Sequence, residues 1–81
     1  MRIQIRFFAS LADRAGVRVL ELSLADGASI TDAAAALVAQ FPSLSGDLHR
    51  VAFAINYATA PAGTILSDGD ELAFLPPVSG G

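Results

Sequence analysis

A single stripe of apolar residues constrains this chain more than any other feature. Ile30, Ala33, Ala34, Leu37, Val38 and Phe41 recur at i, i+3, i+4, i+7, i+8 and i+11, the spacing of one face of an α-helix. Ser29 or Thr31 can cap its start. Asp32 falls in the first turn, where the helix dipole favours an anion. Pro42 ends it by removing a backbone donor. No other segment carries a helical pattern of this length. A lone amphipathic helix cannot bury its own stripe, so the rest of the chain must supply a surface to cover it.

The flanking segments supply that surface as strands. Residues 2–8 alternate, with Ile3, Ile5 and Phe7 on one face and Arg2, Gln4, Arg6 and Phe8 on the other. Phe8 is out of place on its polar side. Residues 9–15 have only Leu11 and Ala12 to bury, then Gly16, which reads as one or two helical turns closed by a left-handed glycine. Residues 17–24 alternate again: Leu20, Leu22 and Leu24 against Val17, Val19, Glu21 and Ser23. Residues 43–50 read as a polar loop. Residues 51–56 set Val51, Phe53 and Ile55 against Ala52, Ala54 and Asn56. A short strand or turn is expected near Ala58–Ala60. Ser67-Asp68-Gly69-Asp70 is a turn signal. Leu72 and Phe74 oppose Ala73 and Leu75 in a last strand over 71–75, which Pro76-Pro77 stops. The order β-β-α-β-(β)-β predicts an α+β fold, a mixed sheet with one main helix packed on one face. That is a β-grasp, or ubiquitin-like, architecture with the first and last strands parallel at the centre. Residues 1–75 form this domain, and 76–81 form an extended, flexible C-terminal tail.

Composition excludes several chemistries. The chain has 81 residues, no cysteine and no lysine; its five basic residues are all arginine, against eight acidic ones, for a net charge of −3. It therefore has no disulfide scaffold, thiolate metal site or cysteine nucleophile. It has no side-chain amine for a Schiff base. It lacks the basic stripe of a nucleic-acid binder. Its apolar runs are too short for a membrane span, and its start does not resemble a signal peptide, so a cytoplasmic protein is expected. His49 stands alone in a loop, without a second histidine to share a metal. Asp68, Asp70 and Glu71 are too few for a calcium loop and suit turn chemistry better. The serines sit in no nucleophile motif, and no glycine-rich phosphate loop is present.

The tail is different. Pro76 and Pro77 hold the chain extended as it leaves the sheet. Val78 and Ser79 lead to Gly80-Gly81, two residues without side chains that can enter a tunnel too narrow for any other. Such a tail suits a carboxylate delivered into another protein's active site.

These features also carry a family resemblance. Ile-Arg-Phe-Phe-Ala at 5–9, Ala-Ile-Asn at 54–56, Leu-Ser-Asp-Gly-Asp-Glu-Leu-Ala-Phe-Leu-Pro-Pro at 66–77 and Val-Ser-Gly-Gly at 78–81 resemble the molybdopterin-synthase branch of the MoaD/ThiS sulfur-carrier family. The double proline favours that branch over the thiamine branch. The resemblance implies that Gly81 is adenylated, converted to a thiocarboxylate, and donates sulfur to cyclic pyranopterin monophosphate, with Gly80 allowing the tail to pass. It implies no permanently bound cofactor and no metal, only ATP consumed by an adenylating and sulfurating enzyme. It implies a second partner, the large synthase subunit, in a heterotetramer of two small and two large subunits. The carrier would be a donor, with the catalytic pocket on the large subunit. The expected partner surface is Phe8, Ala52, Ala54, Ala73 and Leu75 on the open sheet face, continued by Pro76, Pro77, Val78 and Ser79. Arg2 and Arg6 on that face could pair with partner carboxylates. Other readings remain open: a sulfur carrier for thiamine synthesis, a ubiquitin-like protein modifier, or a passive binding module.

Overall fold

A computed structural model describes residues 1–46, 48 and 51–75. The elements are β1 (Arg2–Phe7), α1 (Ala9–Ala15), β2 (Val19–Ser23), α2 (Ile30–Gln40), a 3-10 turn (Pro42–Leu44), β3 (Ala52–Ile55), β4 (Ala58–Thr59) and β5 (Glu71–Leu75). The strands form one mixed sheet in the order β2-β1-β5-β3-β4. β1 runs parallel to β5 and antiparallel to β2, and β3 runs antiparallel to both β5 and β4. The first and last strands are the central pair, as the element order predicts.

Register explains how one sheet face becomes the core. Ile5 lies opposite Leu20 on one side and Leu72 on the other, and Leu72 lies opposite Ile55. One step along, Phe7, Phe74 and Phe53 stand side by side. Opposed residues share a face, so these rows project together toward α2. Phe74 packs its ring 5.8 Å from Phe7 and 5.5 Å from Phe53, the latter edge-to-face at 87°, a geometry that aromatic quadrupoles favour. Phe7 meets Phe41, beyond the end of α2, at 6.3 Å. The helix answers with Ile30, Ala33 and Leu37, all fully buried.

The start of α2 is set by Ser29. Its hydroxyl accepts from the Asp32 N–H at 3.3 Å, and its own N–H donates to Asp32 Oδ2 at 2.9 Å. This reciprocal box satisfies two backbone donors at once. Thr31 is not the cap; its hydroxyl donates to the Ala62 carbonyl at 3.0 Å. The N–H groups of Ile30 and Thr31 donate to Thr64 and Ala62, so the loop after β4 is tied to the helix start.

Two readings of the sequence change. Residues 43–50 are not simply a polar loop: Leu44 is 0% exposed and Leu48 4%, and both belong to the core. Pro42 breaks the helical period and starts a 3-10 turn, in which the Leu44 N–H bonds Phe41 and the Leu48 N–H bonds Leu44. That turn points the two leucines back inward. Phe8 is also not the last residue of a strand. It is the N-cap residue of α1, extended at φ −122° and ψ 151°. The break in alternation at Phe8 therefore marks the end of β1. Gly16 closes α1 in the left-handed region at φ 79°, as expected of a helix C-terminus.

Candidate functional site

The strand that leads into the tail is held from both sides. The Gln4 N–H donates to the Asp70 carbonyl at 2.9 Å on the β1 side, and the Asn56 N–H donates to the Glu71 carbonyl at 2.8 Å on the β3 side. The turn before β5 is built from its own carboxylates. Asp70 Oδ2 accepts from the Ser67 N–H at 2.7 Å, and Asp70 Oδ1 from the Asn56 amide at 3.0 Å. Asp68 Oδ1 accepts from the Arg2 N–H at 2.7 Å. Gly69, at φ 86°, supplies the left-handed corner. These oxygens serve the turn, and among the described residues no three His, Cys, Asp or Glu side chains gather as a metal site. His49 lies outside the described residues.

At its far end β5 delivers Leu75 opposite Ala52 of β3, next to the buried Phe74. Leu75 is half-buried. Pro76, Pro77, Val78, Ser79, Gly80 and Gly81 lie outside the described residues.

The open sheet face reads across as Val19, Arg6, Ala73, Ala54 and Thr59, with Ala52 beside Leu75 in the next row. The expected patch is therefore assembled, but it is smaller than its residue list suggests. Ala54 is 7% exposed, Ala73 and Leu75 are half-buried, and only Ala52 is open. Small side chains on a central strand are shielded by longer neighbours. Phe8 follows the last residue of β1 in extended conformation, just past the Phe7–Phe74 pair, and is 41% exposed. It lines a shallow depression of about 440 Å³ together with Arg6, Arg18 and Val19.

Arg2 and Arg6, read as cations that could pair with partner carboxylates, already have carboxylates beside them within the sheet. Arg6 Nε lies 2.6 Å from Glu71 Oε1, off the line of its N–H bond, so the contact is ionic more than a well-aligned hydrogen bond. Arg2 Nη1 lies 3.6 Å from Glu21 Oε1. The cross-strand pairs Gln4–Glu71 and Gln4–Glu21 place these carboxylates diagonally beside the arginines. Both guanidiniums therefore have partners within the sheet. The Arg2 pair is exposed and contributes little to stability.

Tyr57 and Ile65, to which the sequence pattern assigns no role, are among the exposed large apolar side chains, and Val17 and Val19 are exposed on the outward face expected of them. Tyr57 also has a positive φ, 71°, and a two-residue gap between short alternating segments was the available signal.

Comparison with known proteins agrees with this geometry. The model of the ThiS family matches residues 5–81. The chain belongs to the ThiS family. A relative from Chlamydomonas reinhardtii, a molybdopterin synthase sulfur carrier subunit, is 37% identical over 100% of both chains. Small archaeal modifier protein 1 from Haloferax volcanii is 37% identical, covering 94% of this chain and 97% of that one. Its crystal structure superposes with a TM-score of 0.87 at 32% identity, over 95% of this chain and 98% of that chain. A protein–protein complex of subunits 1 and 2 of the molybdopterin-converting factor from Helicobacter pylori matches at TM-score 0.69 and 27% identity over 100% of both chains. The ubiquitin-like β-grasp read from the element order is thus the fold of this ThiS-family chain. Among its described residues no helix is long and apolar enough to cross a membrane.

Proposed function

We propose that this ThiS-family chain is the sulfur-carrier subunit of a molybdopterin synthase. The observation that carries the reading is the Pro-Pro-Val-Ser-Gly-Gly sequence that follows β5, a strand held between two others. The full-length likeness to a molybdopterin synthase sulfur carrier subunit supports it, and so does the likeness to a chain found in a complex of subunits 1 and 2.

The chemistry follows from what a carboxylate cannot do. It is a poor electrophile, so the Gly81 carboxylate first attacks the α-phosphate of ATP on an activating enzyme and releases pyrophosphate. The acyl-adenylate then has a good leaving group. A sulfur donor displaces AMP and leaves a thiocarboxylate, a soft nucleophile. In the large subunit the sulfur passes to cyclic pyranopterin monophosphate, and the carrier returns as a carboxylate. Two such deliveries build a dithiolene, consistent with two small and two large subunits. Residues 1–75 serve as the body and 76–81 as the delivered arm. Gly81 is the reacting residue, and Gly80 permits passage. Phe8, Ala73 and Leu75, with Pro76, Pro77, Val78 and Ser79, form the docking surface. The chain itself holds no permanent cofactor and works in the cytoplasm. The absence of cysteine and lysine leaves no side-chain thiol or amine to intercept the activated terminus.

The test is an intact mass after incubation with the activating enzyme, ATP and a sulfur donor. Sulfur replaces oxygen at Gly81, and a chain lacking Gly81 gains none. An unchanged mass for the full chain would reject the reading. A second reading, a ubiquitin-like modifier that acylates target lysines, has one specific support: the likeness to small archaeal modifier protein 1. It predicts higher-mass conjugates in cells that disappear when Gly81 is deleted.

A further inference from the structure

Asn56 and Tyr57 join β3 to β4 in a two-residue loop closed by the Ile55–Ala58 pair. Both have positive φ, 50° and 71°. That combination marks the tight hairpin turn whose twist matches its strands, with Asn-Gly the preferred sequence. Asn56 suits its place. Its short polar side chain tolerates left-handed backbone, its amide donates to Asp70 Oδ1 at 3.0 Å, and its side-chain oxygen accepts from the Glu71 N–H at 3.0 Å. The turn is therefore pinned to the start of β5.

Tyr57 does not suit its place. In this conformation the Cβ crowds the following carbonyl, and the turn favours glycine. A strained aromatic ordinarily recovers by burying its ring. Tyr57 is instead 86% exposed. Among the described residues neither its ring nor its hydroxyl makes an aromatic contact or hydrogen bond. Folding gains nothing from a tyrosine here and loses a little. An outlier of that kind points outside the chain.

Position says where. The open-face row Ala73, Ala54, Thr59 leads from β5 to β4, and Ala52 flanks Leu75 beside it. Within this strip Ala52 and Thr59 are exposed. Tyr57 stands at the end of this strip, one loop beyond Ile55. From Ala52, beside the tail exit, to Tyr57 beyond the opposite end of β3 the chain spans at most about 17 Å. The tail exit and Tyr57 thus fall within one standard interface, which covers about 800 Å² per partner and is roughly 30 Å across. A tyrosine offers such an interface a large, rigid contact at low entropic cost.

The geometry points to Tyr57 as an aromatic anchor for the protein that receives the tail, the large synthase subunit, through an apolar pocket of ring size. This inference rests on the synthase reading above. It is tested with the full chain and its purified large subunit. Tyr57→Gly and Tyr57→Phe are each titrated by calorimetry, and each is melted alone. Tyr57→Gly melts at or above the parent temperature and binds at least tenfold more weakly, while Tyr57→Phe keeps most of the affinity. Parent-like affinity of Tyr57→Gly overturns the anchor. Melting several degrees below the parent also overturns it, by assigning the residue to the fold. If the unsubstituted chain forms no complex, the synthase reading fails and the anchor falls with it.

Discussion

Replacing Phe74 by alanine removes the ring that holds the sheet face together. Phe74 is fully buried and touches rings contributed by both neighbouring strands, Phe7 of β1 and Phe53 of β3. Truncating a buried phenylalanine costs about 3–5 kcal/mol. Each favourable ring pair adds about 0.5–1.5 kcal/mol beyond area alone, so the upper half of that range applies, about 4 kcal/mol. A chain of 81 residues has a total stability of roughly 4–12 kcal/mol at typical per-residue values. The variant is therefore left with a thin margin or none. At about 4–8 °C per kcal/mol for a domain of this size, the thermal midpoint falls by about 15–30 °C. Urea unfolding followed by far-UV circular dichroism reads the loss directly. Phe8→Ala, at a half-open site outside the core, is the control and shifts stability by no more than about 0.5 kcal/mol. A Phe74→Ala loss below about 1 kcal/mol would refute the three-ring packing described here.

Ser29→Ala removes the α2 cap and costs about 1 kcal/mol in thermal or urea unfolding; Thr31→Ala costs less, since its hydroxyl bonds only the Ala62 carbonyl. Leu44→Ala costs about 2–5 kcal/mol in the same assay, although the residue lies in a segment that looks like a surface loop. Ala73→Arg places a long cation on the open face beside Arg6. It weakens association with the large subunit in a calorimetric titration, while the far-UV spectrum stays that of the parent.

The fold was legible wherever side-chain period coincides with chain geometry. Alternation placed β5 at Glu71–Leu75 and the stripe placed α2, because burial of one face dictates both patterns. Leu44 and Leu48 were not legible. A 3-10 turn has a different period, and Pro42 hid the continuation of the core behind what looked like a helix stop. The Ser29 or Thr31 ambiguity was settled by Asp32, whose carboxylate closes the box on Ser29 alone. The ion pairs of Arg2 and Arg6 depend on cross-strand register, which no local window contains. The terminal glycines are read from sequence alone, since they lie outside the described residues. Tyr57 is the reverse case: its identity is visible in the sequence, but its strain appears only once φ is known.

The central position of β5, between a parallel and an antiparallel neighbour, also has a mechanical meaning. Tension applied to the chain beyond Leu75 acts along the strand axis. Hydrogen bonds on both flanks then resist it in shear, all together, where an edge strand would unzip one bond at a time. A sheet built this way would withstand a pull along β5 without peeling open.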